Sequence, residues 1–158
     1  GWGAFTTRLN ASYLDSFQVD GIEAAGDNIA FAFTNTASLP RWKGALTLDW
    51  EQGAWLLSGR ANYIHSYNRS FGAATFYGVT GATPNTIPQT GFLSRKAPSY
   101  TTFDLFARYN VTPKLTVNAG IINVTDELPI YEPGISTTYF YDRTQSYDIR
   151  GRFYSLGV

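Results

Sequence analysis

The sequence predicts an all-β chain: an antiparallel, up-and-down segment of a transmembrane β-barrel, with about six strands in 158 residues. Three observations predict it. Apolar residues recur at every second position over stretches of ten residues or more, and no stretch of comparable length keeps helical spacing. Short and long connections alternate strictly along the chain. Phe, Tyr and Trp make up 16% of the residues and charged residues only 15%, against roughly 25% in ordinary soluble proteins.

The first strand falls within Trp2–Val19, where Phe5, Thr7, Leu9, Ala11 and Tyr13 alternate with Thr6, Arg8, Asn10 and Ser12. In Trp42–Trp50 the even positions read Trp, Gly, Leu, Leu, Trp, opposite Lys43, Ala45, Thr47 and Asp49. Glu51-Gln52-Gly53 is a turn-forming link. Trp55–Tyr67 then sets Trp55, Leu57, Gly59, Ala61, Tyr63, His65 and Tyr67 against Leu56, Ser58, Arg60, Asn62, Ile64 and Ser66, completing a long hairpin. Tyr100–Val111 places Phe103, Leu105, Ala107, Tyr109 and Val111 opposite Asp104, Phe106, Arg108 and Asn110. Thr112-Pro113-Lys114 turns the chain, since proline presets φ at the second position of a tight turn. Leu115, Val117, Ala119 and Ile121 return opposite Thr116, Asn118, Gly120 and Ile122, and Ser146–Val158 is the sixth strand-like stretch. The Ala24-Ala25 region is too short and Gly-rich for a helix.

The links inside the two hairpins are minimal, whereas Asp20–Arg41, Arg69–Pro98 and Thr125–Thr144 are long, polar and rich in Gly, Thr, Asn and Pro. In an up-and-down sheet this parity sends every tight turn to one rim and every long loop to the other, as in outer-membrane barrels. Three structureless loops of about twenty residues or more would be out of place in a compact soluble domain. The strands exceed the globular mode of about five or six residues, and about ten suffice to cross a bilayer at a tilt. Trp42, Trp50, Trp55, Tyr63, Tyr67, Tyr100 and Tyr109 lie near strand ends, where a ring can rest at the membrane–water boundary. His65 is read as interfacial for the same reason. If the apolar faces meet lipid, Asp49, Arg60, Asp104, Arg108 and Asn118, with Arg8, Asn10 and Asn62, line the interior, where Asp49, Arg60, Asp104 and Arg108 could pair across strands or hold an interior domain. A Lys or Arg at midplane on the lipid side would cost about 2 to 4 kcal/mol.

Composition excludes several function classes. Twelve basic and twelve acidic residues leave no net positive field for a nucleic acid. The absence of Cys removes disulfides and thiolate chemistry, and a single His removes a multi-histidine metal site. No metal or cofactor is expected. No window approaches 18 consecutive apolar residues, so no transmembrane helix is expected. Gly1-Trp2-Gly3-Ala4 has neither the basic nor the apolar region of a signal peptide, and together with the missing initial Met it suggests a processed or excised segment. No Ser/His/Asp arrangement is credible, and the adjacent Asp126 and Glu127 would point to opposite faces of an extended chain, so no enzyme is expected.

Three strings carry a family resemblance: LPRWKGALTLDWEQGAWLLSGRANYIHSY, YTTFDLFARYNVTPKLTVNAGIINVTDELPIY and the closing YDIRGRFYSLGV. Spanning roughly Leu39 to Val158, they resemble the last strands of TonB-dependent outer-membrane transporters. Asn123-Val124-Thr125-Asp126-Glu127 with Pro129 resembles the family's Asn-x-x-Asp-(Glu/Lys)-x-Pro signature where the penultimate strand leaves the membrane. Tyr147-Asp148-x-x-Gly151-Arg152 resembles the approach to its final strand. The resemblance implies the C-terminal part of a barrel of about 22 strands in the outer membrane of a Gram-negative bacterium, here without the plug domain or the N-terminal TonB box. Its implied partners are outer-membrane lipid, the remaining strands, the plug, TonB and a small-molecule ligand. Family chains end in an aromatic residue, so a few residues are expected beyond Val158, with Tyr154, Leu156 and Val158 toward lipid and Phe153 and Ser155 toward the lumen. Long loops select ligands on such a scaffold. Phe76, Tyr77, Arg95, Tyr131, Tyr139, Tyr141 and Arg143 are the candidates, since aromatic rings with a few cations suit a siderophore, a corrinoid or an oligosaccharide. In that setting the glycosylation-like Asn123-Val124-Thr125 is uninformative. Two other readings stay open: a complete eight-stranded adhesin or anchor with extra strands near Ile29–Thr34 and Thr75–Thr80, and a secreted glycan-binding β-sandwich.

Overall fold

The computed structural model describes residues 1–19, 22–23, 25–26, 28–30, 36–68, 96–129 and 147–158. The strands are β1 (Ala4–Tyr13), β2 (Gln18–Val19), β3 (Ile22–Glu23), β4 (Asn28–Ala30), β5 (Thr36–Ser38), β6 (Trp42–Gln52), β7 (Trp55–Ile64), β8 (Tyr67–Asn68), β9 (Lys96–Ala97), β10 (Tyr100–Thr112), β11 (Leu115–Ile122) and β12 (Phe153–Gly157). The described residues contain no helix. Six strands form one antiparallel sheet in the order β1-β6-β7-β10-β11-β12, a simple up-and-down path, and the sheet is open. The other six pair as three two-stranded ladders, β2–β3, β4–β5 and β8–β9. The described part of the first extra strand of the eight-stranded reading, Ile29–Ala30, lies in β4, paired with β5 and outside the main sheet. Its remainder and Thr75–Thr80 lie outside the described residues.

Both tight turns follow from their sequences. Gly53 takes φ 59 and Ala54 an ordinary φ between the paired Gln52 and Trp55, the sign pattern of a type II′ hairpin turn whose first central position glycine fills without strain. Pro113 cannot take a positive φ, so the β10–β11 turn is not of the primed kind that matches strand twist. The register slips between Asn110 and Thr112, and this irregularity absorbs the mismatch.

Two strands are shorter than the alternation predicts. Leu14 N–H makes one last ladder bond to Arg41 O beyond Tyr13, and the pairing stops there as the Arg41 guanidinium donates to the carbonyls of Leu14 and Asp15. The chain then bends around Glu23, whose carboxylate accepts from Ser16 Oγ and from the N–H groups of Phe17 and Ala25. β12 begins only at Phe153, since Gly151 takes φ 66 and Asp148 and Arg150 close a local turn ahead of it.

Register assigns the faces. Residues directly opposite in an antiparallel pair share a face. Phe5, Trp50, Leu57, Ala107, Ala119 and Leu156 therefore form one row, and Thr7, Leu48, Gly59, Leu105, Ile121 and Tyr154 the next. No Asp, Glu, Lys or Arg of the six strands lies on this face. Its side chains are nonetheless open: Trp42 is 46% exposed, Leu46 46%, Leu48 49% and Leu105 50%. On the opposite face Asp49, Thr102 and Asp104 are each under 9% exposed. An apolar face left open with the charges on the more buried face is the reverse of a soluble sheet, and among the described residues no second layer seals Trp42, Leu46 and Leu48 as the sandwich reading requires.

Aromatic rings mark both ends of the apolar band. Phe5 and Tyr13, Trp42 and Trp50, and Trp55 and Tyr63 are each eight residues apart on successive strands. Tyr13 packs on Trp42 at 4.7 Å and Trp55 on Tyr109 at 4.4 Å, one cross-strand pair at each rim. A line perpendicular to the strands runs through Leu9, Leu46, Ala61 and Phe103. The loop-side ring stands four residues above it at Tyr13 and Trp42, two above at Tyr63, on it at Phe103 and two below at Tyr154. That drift of about 1.2 residues per strand, at about 3.3 Å per residue and 4.8 Å per strand, corresponds to a tilt of about 40°, within the range of transmembrane barrels. At this tilt eight residues span about 20 Å along the membrane normal, close to their apolar band of about 25 Å.

Candidate functional site

Every charged side chain of the six strands, Arg8, Lys43, Asp49, Glu51, Arg60, Asp104 and Arg108, projects from the polar face. The sequence candidates Asp49, Arg60, Asp104, Arg108 and Asn118 thus share one side of the sheet. Asp49 on β6 pairs with Arg8 of β1 and accepts from Ser58 Oγ of β7 at 2.5 Å, joining three strands. Arg60 faces Asp104 in register, yet neither Arg60 nor Arg108 makes an ion pair among the described residues. Asp104 instead accepts from Asn62 Nδ2 and from the buried Asn123 N–H, both at 2.9 Å. Expectation and structure differ here because a carboxylate flanked by two oriented amide donors is already satisfied without the guanidinium.

A concavity of about 900 Å³ opens on this face toward the long-loop rim, lined by Asn10, Lys43, Arg60, Asn62, Asp104 and Arg150 among others. Tyr67 and Tyr100, read from the sequence as membrane-boundary rings, are instead buried, at 1% and 8% exposure. The strand break at His65-Ser66 separates Tyr67 from the alternation of β7, and Tyr100 pairs with Ile64 on the polar side. Tyr147 packs edge-on against Tyr100 at 5.0 Å and donates to Tyr67 Oη at 3.2 Å, while Tyr100 Oη donates to Glu127 O at 3.1 Å. Tyr63 keeps its place on the apolar face at the rim, with its hydroxyl 2.7 Å from His65 Nδ1.

Below this cluster the chain leaves β11 through Asn123–Glu127. Asn123 and Asp126 both take positive φ, 53 and 56, a conformation that Asn and Asp tolerate better than most residues. The Asn123 side chain is 2% exposed and spans the turn: Nδ2 donates to Glu127 O at 2.8 Å and Oδ1 accepts Glu127 N–H at 3.0 Å. Asp126 Oδ1 accepts Arg152 N–H at 2.8 Å, tying the turn to β12. Outside the strands, Arg150 donates to both oxygens of Asp148, and this hydrogen bonding holds the Asp148 carboxyl below its ordinary value. Sequence reasoning picked out the Asn-x-x-Asp spacing only as a resemblance. The signal for its role is the pair of left-handed positions, which a linear pattern does not display.

Phe76, Tyr77, Arg95, Tyr131, Tyr139, Tyr141 and Arg143 lie outside the described residues. Among the described residues no cluster of His, Asp and Glu could hold a metal ion.

An antiparallel meander with a tilted, ring-bounded apolar exterior and its charges on the other face is the architecture of a transmembrane β-barrel wall. The model of the family described as TonB dependent receptor-like, beta-barrel, matches residues 1–124. The chain belongs to the TonB-dependent receptor family through its barrel domain. Its fold is similar to the crystal structure of the siderophore receptor PiuA from Acinetobacter baumannii, with a TM-score of 0.50 and 16% identity, covering 96% of this chain and 19% of that one. The chain thus spans about a fifth of that receptor's length. No curated protein matches it in sequence.

Proposed function

We propose that the chain is the C-terminal part of the barrel of an energy-coupled importer in the outer membrane of a Gram-negative bacterium, supplying wall, external loops and closing strand. The carrying observation is the complete segregation of charge: seven charged residues on one face of the six strands and none on the other. In this reading the apolar face meets lipid, and Asp49, Arg60, Asp104, Arg108 and Asn118 line the lumen around a plug supplied by the rest of the protein. TonB engages that protein at its N-terminal box. The long loops carry the capture residues, Phe76, Tyr77, Arg95, Tyr131, Tyr139, Tyr141 and Arg143, whose rings and cations suit an anionic aromatic chelate such as a ferric siderophore. The protein acts as a transporter and not as an enzyme.

The test is uptake by cells whose only receptor of this kind is the whole protein. Radiolabelled ferric siderophores, a corrinoid and an oligosaccharide are offered with and without the inner-membrane energy source. Energy-dependent entry of one class, reduced at least tenfold by joint Tyr139→Ala and Arg143→Ala substitution, is expected. Entry of none of them overturns the reading.

A further inference from the structure

β12 is the shortest strand of the main sheet, pairing five residues with β11, and among the described residues nothing pairs with its other edge. Its alternation does not choose its register. A slide by one residue turns Tyr154 and Leu156 to the wrong face, but a slide by two leaves every side chain on its proper face. Something other than hydrophobicity must select the observed pairing.

Two contacts do so. One step beyond Ile122 and Phe153 the ladder would set Arg152 opposite Asn123, but Asn123 leaves the strand with positive φ and the ladder ends. Asp126 replaces the missing partner by accepting Arg152 N–H. Gly151 stands beside it at φ 66, and a Cβ there would lie 2.9 Å from Asp126 Oδ1. A slide by two in either sense brings Ile149 or Phe153 to that place, each with a Cβ that would push the Asp126 carboxylate away from the end of the ladder and a side chain that resists left-handed φ. The second contact is in mid-strand. Gly120 lies opposite Phe106 on β10 and Ser155 on β12, and a Cβ on it would meet Ser155 Oγ at 2.7 Å and Phe106 Cδ1 at 2.8 Å. The ring of Phe106 covers the glycine, and Ser155 is small enough to share the space. A slide in one sense puts Phe153 there against that ring.

We propose that Asp126 with Gly151, and Phe106 with Gly120 and Ser155, form a two-toothed register key that admits β12 beside β11 in a single alignment. The key fixes the height at which the free edge of β12 is presented to whatever strand pairs with it.

The experiment reads register by disulfide formation in the whole receptor in outer membranes. Ala119→Cys is combined with Leu156→Cys, its observed partner, or with Tyr154→Cys or Val158→Cys, its partners after a slide by two. In the otherwise natural protein and in Asp126→Asn, whose amide oxygen still accepts the Arg152 N–H, only the 119–156 link is expected. In Asp126→Ala joined to Phe106→Ala, a slipped link, 119–154 above all, should rise from undetectable to a share comparable with 119–156. A folded double variant that forms 119–156 alone overturns the proposal. If the double variant does not assemble, the single substitutions decide: assembly reduced by Asp126→Ala and kept by Asp126→Asn supports the key, and equal behaviour of the two overturns it. The readout is a covalent link between strands and does not depend on what the receptor imports.

Discussion

Asn123→Ala isolates the turn that ends β11. The substitution removes the hydrogen bonds to Glu127 N–H and O, at 3.0 and 2.8 Å, and a longer one from Thr125 Oγ, at 3.4 Å, and it leaves the Asn123 N–H bond to Asp104 in place. At a net value of about 1 kcal/mol per well-formed bond, the two short ones account for about 2 kcal/mol. Alanine at φ 53 adds about 1 kcal/mol, because its Cβ crowds the following carbonyl and it has no side-chain oxygen to compensate locally. The expected loss is about 3 kcal/mol. Asn123→Gly loses the same bonds without the conformational term and should cost about 2 kcal/mol. The assay is equilibrium urea unfolding of the whole receptor in detergent micelles, followed by tryptophan fluorescence, in which the midpoint should fall with an unchanged slope. Asn123→Ala within about 0.5 kcal/mol of the natural protein, or Asn123→Gly more costly than Asn123→Ala, would refute the reasoning.

Three further outcomes follow from the geometry. Gly120→Val should destabilise the receptor by about 1 to 3 kcal/mol in the same unfolding assay through overpacking against Phe106 and Ser155, and adding Phe106→Ala should recover part of the loss. Arg8→Ala should cost no more than about 1 kcal/mol, and less in high salt, because the guanidinium that pairs with Asp49 is 59% exposed. Asp148 has its folded-state pKa lowered chiefly by hydrogen bonding from Arg150, so its contribution is complete above its unfolded value and fades as pH falls through the folded one. A carboxyl titration by NMR should show its midpoint moving upward in Arg150→Ala, and an unmoved midpoint would remove Arg150 as the cause.

Strands governed by period two were legible in the sequence. β6, β7, β10 and β11 occupy the stretches where Leu46, Leu57, Leu105 and Val117 alternate with Thr47, Ser58, Phe106 and Asn118, because one face must be uniformly apolar whatever lies beyond the strand. Strand ends were not legible where a group distant in sequence takes part: beyond the last ladder bond of β1 the Arg41 side chain takes the carbonyls of Leu14 and Asp15 and the chain bends around Glu23, and Asp126 holds Arg152 just ahead of β12. Parity alone grouped the polar candidates on one common face of the sheet. Their partners were not, since the Arg8–Asp49 pair depends on the register between β1 and β6, and the donors to Asp104 come from a side chain on β7 and from a turn. Tyr67 and Tyr100 show the same limit. An aromatic residue near a strand end suits a membrane boundary and a buried ring cluster equally well, and only the strand break and the register separate the two.

The central claim, that the apolar face is bathed in hydrocarbon and the charged face is not, is tested most directly by nitroxide accessibility in bilayers. Labels at positions 46 and 105 should collide readily with oxygen and scarcely with a water-soluble nickel chelate, and labels at 47 and 118 should show the opposite preference. Equal preferences on the two faces, or a nickel-accessible position 105, would contradict the account.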